Sequence, residues 1–192
     1  MIHKNIILCS SNENKISEFK SFGLDFEVKE SEDLKEVQSD PITVATYKAI
    51  EAGEGKLIED TVLLINDEEI VDIKWKIDEL KSMKNPDIKW VTTLAILDQD
   101  FIYIYQGSIE CDLVPNIENI KIPADSFGFD AYLVPSPNGI NIPLSFHELK
   151  KIGKKDDFSP RKFAVECLLN DVFYEKISVD KVPEWTGSYQ ND

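Results

Sequence analysis

Two adjacent carboxylates, Glu59 and Asp60, interrupt the otherwise apolar run from Lys56 to Asn66, KLIEDTVLLIN. Burying a carboxylate beside a core strand is costly unless a cation or hydrogen-bond donors compensate. The pair therefore asks for a divalent ion, or else caps a strand end that faces water. Glu36, ahead of Pro41, is a further oxygen ligand for such an ion, or an ordinary solvated glutamate of an acidic stretch. Ser10-Ser11-Asn12-Glu13-Asn14-Lys15 carries helix N-cap residue types directly after an apolar run of strand length. The free N–H groups and dipole of a helix start suit phosphate oxygens, and Lys15 adds a full charge one turn in. Most strand-to-helix turns bind nothing, however, and this one lacks the glycines and the Lys-Ser/Thr pair of a Walker A loop. Asp125 to Asp130 sets one glycine between two phenylalanines and ends in an acid, an arrangement for a nucleobase or simply for the core. Lys150, Lys151, Lys154, Lys155, Arg161 and Lys162 concentrate positive charge, either as a solvated helix face or as contacts for an anion.

The elements that must position these groups alternate. Lys4 to Cys9 reads as a strand followed by a helix that Gly23 closes; Asp25 to Lys29 reads as a second strand, and Pro41 starts a helix running to Ala52, which Gly53 and Gly55 end. Lys56 to Asn66 reads as a buried strand pair broken by Glu59-Asp60-Thr61, and residues 73 to 83 as a helix. Two β-rich runs, Lys89 to Leu97 and Phe101 to Leu113, are joined by a hairpin loop at 98 to 100. A short strand at 131 to 134, a turn at 135 to 139 and helices near 145 to 151 and 160 to 170 complete the pattern. The expected class is α/β, a single domain over residues 1–177 with a central, elongated mixed sheet flanked by helices, and a loosely ordered tail over 178–192.

Composition narrows the partners. With 36 acidic and 21 basic residues, the net charge of −15 repels nucleic acid and anionic membranes, so a polyanionic ligand needs a local cationic pocket or a metal. Cys9, Cys111 and Cys167 have no disulfide-framework or zinc spacing. No apolar stretch reaches the 18 residues of a membrane span, and the opening MIHKNIILCS is too brief for a signal peptide. A soluble protein of the reducing cytoplasm is expected. Only His3 and His147 are present, which leaves carboxylates and lysines as the chemical groups.

Taken in chain order, these segments resemble the Ham1-like inosine/xanthosine triphosphate pyrophosphatases from about Lys4 to Leu169. Ser10-Ser11-Asn12-Glu13-Asn14-Lys15 is similar to that family's T-G-N-x-x-K turn. Glu36-Val37-Gln38-Ser39-Asp40-Pro41, with Lys48 on the following helix, looks like its Q-G-[DE]-P segment. Glu59-Asp60-Thr61 matches E-D-T/S and Ile73-Lys74-Trp75 the I-K-W helix, while Phe127-Gly128-Phe129-Asp130-Ala131 is similar to the F-G-[YW]-D-P motif and Lys155 to Arg161 to the closing K-N-x-x-S-H-R segment.

The resemblance implies phosphate contacts from Asn12, Lys15, Lys48 and Lys74, a Mg²⁺ site at Glu36 and Asp60, and base contacts from Phe129, Asp130, Lys155 and Arg161. Ser10, Ser11, Thr61, Phe127 and Gly128 complete the implied substrate contacts, and Asp60, Glu59 and Lys15 the catalytic group. It further implies a homodimer that cleaves ITP, XTP and dITP to monophosphate and pyrophosphate, sanitising the nucleotide pool. Val62 stands where the family has glycine, residues 66 to 72 replace a Gly/Pro-rich loop, and Pro160 replaces a histidine. These departures motivate two alternatives: an altered base preference, or a nucleotide-binding protein with weakened turnover. Whether Asp60 or Glu59 is the base stays open at this level.

Overall fold

The computed structural model describes residues 5–29, 34–70, 73–83, 85–115, 117–121, 123–126, 129–140 and 142–190, with the side chains of 73–75, 77 and 118 outside that description. It is an α/β fold on a mixed eight-stranded sheet, as the alternation of elements leads one to expect, with strand order β2-β1-β3-β5-β6-β7 and with β4 on β3 and β8 on β6. The described residues group into two compact units, one drawn from Met1–Thr61, Thr92–Gly107 and Arg161–Asp192, the other from Val62–Val91 and Ser108–Pro160. No helix among the described residues is long and apolar enough to cross a membrane.

The first unit opens with β1 (Ile7–Cys9), α1 (Glu13–Ser21), β2 (Glu27–Lys29), α2 (Pro41–Ala52) and the start of β3 (Lys56–Ile65). Local chemistry sets these boundaries. Asn12 caps α1, its Oδ1 accepting from the N–H groups of Asn14 and Lys15 at 3.0 and 3.2 Å. Asp40 caps α2 in the same way, Pro41 takes a first-turn position whose N–H has no helical partner to lose, and Gly53 ends the helix at φ 92°.

β1 pairs in parallel with β2 on one side and β3 on the other. The chain thus steps one way through α1 and back across β1 through α2. Right-handed crossovers then put the two helices on opposite faces of the sheet. The buried residues agree: Leu8, Leu57, Leu94 and Tyr105 pack with Phe19 of α1 and with Ala164 and Val165 of α5 (Pro160–Leu169). Ile58, Ala95, Ile102 and Ile104 pack with Ala45, Ala49 and Ala52 of α2, whose small side chains at one-turn spacing let that helix lie close.

β5 (Ile88–Asp98) and β6 (Phe101–Leu113) are the two long strands expected from their β-rich runs. β8 (Glu175–Ser178) pairs antiparallel with residues 101–104 of β6 and has no counterpart among the expected elements. The segment after it is tied to the same unit. The Tyr47 hydroxyl donates to the Pro183 carbonyl at 2.7 Å, the Tyr47 and Trp185 rings meet at 5.3 Å, and Val37 bridges Tyr189.

In the second unit the expected strand pair at 56–66 takes a different form. β3 runs unbroken through Glu59-Asp60-Thr61 to Ile65, and its partner is β4 (Glu68–Ile70), antiparallel. The connection is Asn66-Asp67 with φ of 52° and 65°, the left-handed geometry that a two-residue hairpin demands and that Asn and Asp tolerate. α3 (Ile73–Ser82), β7 (Leu133–Pro135) and α4 (Phe146–Lys151) complete this unit. β7 lies antiparallel on β6, and α4 starts with a reciprocal Ser145–Glu148 capping box.

Candidate functional site

Successive side chains of a strand point to opposite faces of its sheet, which separates the two adjacent acids. Leu57 belongs to the core under α1 and α5, and Ile58 to the core under α2. Two residues on, Glu59 therefore turns toward α1 and α5, and Asp60 toward α2. Each meets a different cation.

Glu59 is buried, with 3% of its side chain exposed, and Lys15 of α1 stands 2.5 Å from its Oε2. Arg161 of α5 donates to Oε1 through Nη2 and Nε at 2.9 and 3.1 Å, and Thr61, on the same strand face, donates to the same oxygen. Thr61 also bonds Thr92 at 2.8 Å. The remaining arm of Arg161 pairs with Glu18. Burial alone would raise the Glu59 pKa, but the charges of Arg161 and Lys15 outweigh it and bring it down to about 2. A carboxylate this firmly ionised is a poor proton acceptor at neutral pH. It is a fixed anion that orders two cations.

A pH dependence follows. Because the Glu59 pKa falls from 4.5 to about 2 on folding, its contribution is complete above pH 4.5 and disappears as the pH drops through 2; the amount is on the order of 3 kcal/mol. In urea titrations from pH 6 to 2, the stability gap between wild type and Glu59→Gln is expected to close across that window. A gap that stays constant would mean Glu59 is not held ionised.

On the other face, Lys48 of α2 is 8% exposed, and its Nζ lies 2.5 Å from Glu36 and 3.4 Å from Asp60. Burial raises the Asp60 pKa, Lys48 pulls it down, Glu59 and Glu36 push it up again, and the net direction is upward. Lys48 is itself raised: burial works against its charge, and Asp60 and Glu36 more than compensate. One ammonium thus serves two carboxylates, and negative charge on this face is under-compensated. Two hard oxygen donors in that state fit a hard divalent ion, which takes one or two carboxylates and completes its shell with phosphate and water oxygens. Among the described residues no group of three or more His, Cys, Asp or Glu forms a ready-made cage, so such an ion would depend on substrate oxygens.

The turn at Ser10 to Asn12 follows the carboxyl end of β1, the strand at which the chain reverses its direction of travel through the sheet, a common place for ligands in α/β folds. Ser10 Oγ accepts from the Asn12 N–H at 3.1 Å, and the Asn14 and Lys15 N–H groups are bonded to Asn12. Ser11 is exposed. The side-chain cation that this turn offers is Lys15.

The second unit brings together Asp130 and Lys155, 2.6 Å apart, with the Asp130 side chain 4% exposed. Lys155 Nζ lies 5.3 Å from the Trp90 ring centroid, and Phe129 and Phe146 each meet Trp90 edge-on at 5.0 Å. Trp90 is absent from the expected site because, within KWVTT, it reads as an ordinary core-strand residue. Phe127, Gly128 and the side chain of Lys74 lie outside the described residues.

A family model described as the Ham1 family matches residues 6–171. Members of that family are generally nucleoside-triphosphate pyrophosphatases, hydrolases of nucleotide metabolism that use a divalent metal. No match is found among curated proteins.

Proposed function

This chain belongs to the Ham1 family, and from that premise we propose that it is a Mg²⁺-dependent pyrophosphatase cleaving deaminated purine triphosphates to the monophosphate and pyrophosphate. The observation that carries this reading is the set of cations gathered at two adjacent acids of β3 in an otherwise acidic protein, Lys15 and Arg161 on Glu59 and Lys48 between Asp60 and Glu36. A triphosphate can exchange onto Lys15 and Lys48 without ordering them anew, because their carboxylate partners have already fixed them.

In the proposed step, water oxygen bonds to the α-phosphorus, the bond from that phosphorus to the bridging oxygen breaks, and pyrophosphate leaves. Glu36 and Asp60 would hold Mg²⁺, which when bound would neutralise the charge that repels a nucleophile from a polyphosphate. Asp60 orients the attacking water and takes its proton. Glu59 keeps Lys15 and Arg161 in place and stays ionised.

For the base, Lys155 donates and Asp130 accepts, backed by the faces of Trp90 and Phe129. A 6-oxopurine offers the matching acceptor at its oxygen and donor at N1, whereas adenine offers the reverse. A mismatch of this kind leaves buried groups unpaired at about 1–3 kcal/mol. Pro160, the first residue of α5, has neither a side-chain donor nor a backbone N–H, so discrimination is expected to be narrower than in a member with histidine there. The cytoplasmic homodimer expected for the family remains part of this reading.

The test is a panel of ITP, XTP, dITP, GTP, ATP and dUTP with Mg²⁺, with products identified chromatographically. Monophosphate plus pyrophosphate, with kcat/KM higher for ITP and XTP than for ATP, is expected. Diphosphate plus phosphate as products, or tight binding without turnover, would overturn the assignment.

A further inference from the structure

Glu36 lies outside every helix and strand, so no regular backbone fixes it, and 36% of its side chain is exposed. What holds its segment comes from far along the chain, within the same compact unit. Val37 and Tyr189 form an antiparallel bridge. The Gln190 N–H donates to the Glu36 carbonyl at 2.8 Å, and the Gln38 N–H donates to the Ser188 carbonyl at 2.9 Å. Gln190 Nε2 reaches the Val37 carbonyl at 3.5 Å, and Lys35 Nζ stands 5.6 Å from the Tyr189 ring centroid. Val37, between the two main-chain bonds, is 2% exposed.

The far segment is itself anchored. The Trp185 ring packs on Tyr47, the neighbour of Lys48 on α2, and its Nε1 donates to the same Ser188 carbonyl that Gln38 uses, at 3.1 Å. A Cβ at Gly187 would fall 2.5 Å from the Trp185 ring, so a glycine is needed for the chain to turn this tightly from Trp185 to Ser188. The family match ends at residue 171, and every one of these holding residues lies past it.

We infer that residues 185–190 are a strap that sets the Glu36 carboxylate for the divalent ion, with Gln190 as a positioning residue acting through the Glu36 main chain. This role rests on Glu36 being a metal residue of the proposed pyrophosphatase. Mg²⁺ demands near-ideal geometry at about 2.0–2.1 Å, so a carboxylate on an unsupported loop would be a poor ligand for it, and groups that orient a ligand matter nearly as much as the ligand.

The test titrates Mg²⁺ calorimetrically into the whole chain saturated with the α,β-methylene analogue of ITP, which cannot be cleaved at that bond. Gln190→Pro removes the N–H that meets the Glu36 carbonyl and is expected to weaken Mg²⁺ about 10- to 100-fold. Gln190→Ala keeps that N–H and is expected to stay close to wild type. Gly187→Ala, which disturbs the strap without touching residue 190, is expected to weaken Mg²⁺ as well. Affinity for the analogue in EDTA is expected to be unchanged in all three, because the strap does not touch Lys15, and the Gln38 amide is expected to exchange faster with solvent in Gln190→Pro. Wild-type Mg²⁺ affinity in Gln190→Pro, a loss in Gln190→Ala equal to that in Gln190→Pro, or an equal loss of analogue binding in EDTA would each overturn the strap while ITP cleavage by the wild type still stood. A wild type that binds Mg²⁺ no more tightly than the free analogue does would overturn it too. If the wild type holds Mg²⁺ on the analogue and Gln190→Pro weakens it, but ITP is not cleaved, the strap stands and the pyrophosphatase reading fails.

Discussion

Asp60→Asn is expected to lower Mg²⁺-dependent pyrophosphohydrolase turnover about 10²- to 10³-fold, the usual effect of deleting one charged group from transition-state stabilisation. The same substitution is expected to leave stability unchanged or slightly higher. The reason is the charge balance on the α2 face, where Lys48 alone answers Glu36 and Asp60. Burial and the neighbouring acids outweigh Lys48 and raise the Asp60 pKa, so the ionised form is unfavourable in the folded chain. An isosteric amide relieves that cost, and Lys48 keeps Glu36. kcat for ITP at saturating Mg²⁺, measured beside a urea unfolding curve, separates the two effects. Near wild-type turnover would sink the role of Asp60, and a large stability loss would mean that the variant reports folding rather than chemistry.

The cost of burying charge made Glu59 and Asp60 visible in the sequence, because two acids inside KLIEDTVLLIN demand an explanation wherever the strand lies. Helix starts were legible for a similar reason: Asn12 and Asp40 act on N–H groups two and three residues away. Strand alternation already implies that Glu59 and Thr61 share a face while Asp60 takes the other, but which helix waits on each face depends on crossover handedness and strand order. The partner of Glu59, Arg161, is 102 residues away and leaves no local trace. Residues 66–72, read as a shortened loop, conceal a hairpin because Asn-Asp is a weaker turn signal than Asn-Gly. Trp90 is hidden because an isolated aromatic in an apolar run looks like core. Its unpartnered ring nitrogen becomes visible only once burial is known.

Arg161→Met is expected to cost about 3–5 kcal/mol of stability, the range for breaking a buried ion pair by removing one partner. The loss is concentrated on Glu59. That carboxylate keeps Lys15 but loses the guanidinium, the strongest of the charges that hold its pKa down, and its burial is unchanged. Glu18, the other partner of Arg161, is 38% exposed and can be rehydrated. If the deficit is an uncompensated buried charge, two results follow. First, it shrinks as the pH falls below 4.5 and Glu59 takes up a proton. Second, Arg161→Met combined with Glu59→Leu is more stable than Arg161→Met alone, since an apolar pair of similar volume often replaces a buried ion pair without loss. Lys15, one third exposed, can turn to water in that double variant. Turnover should not return with stability, because the anion that orders Lys15 is gone. Urea unfolding at pH 7 and pH 3 on the wild type and the two variants, with ITP hydrolysis at pH 7, tests both results. A double variant no more stable than Arg161→Met would show that Arg161 stabilises the fold by packing rather than by answering Glu59.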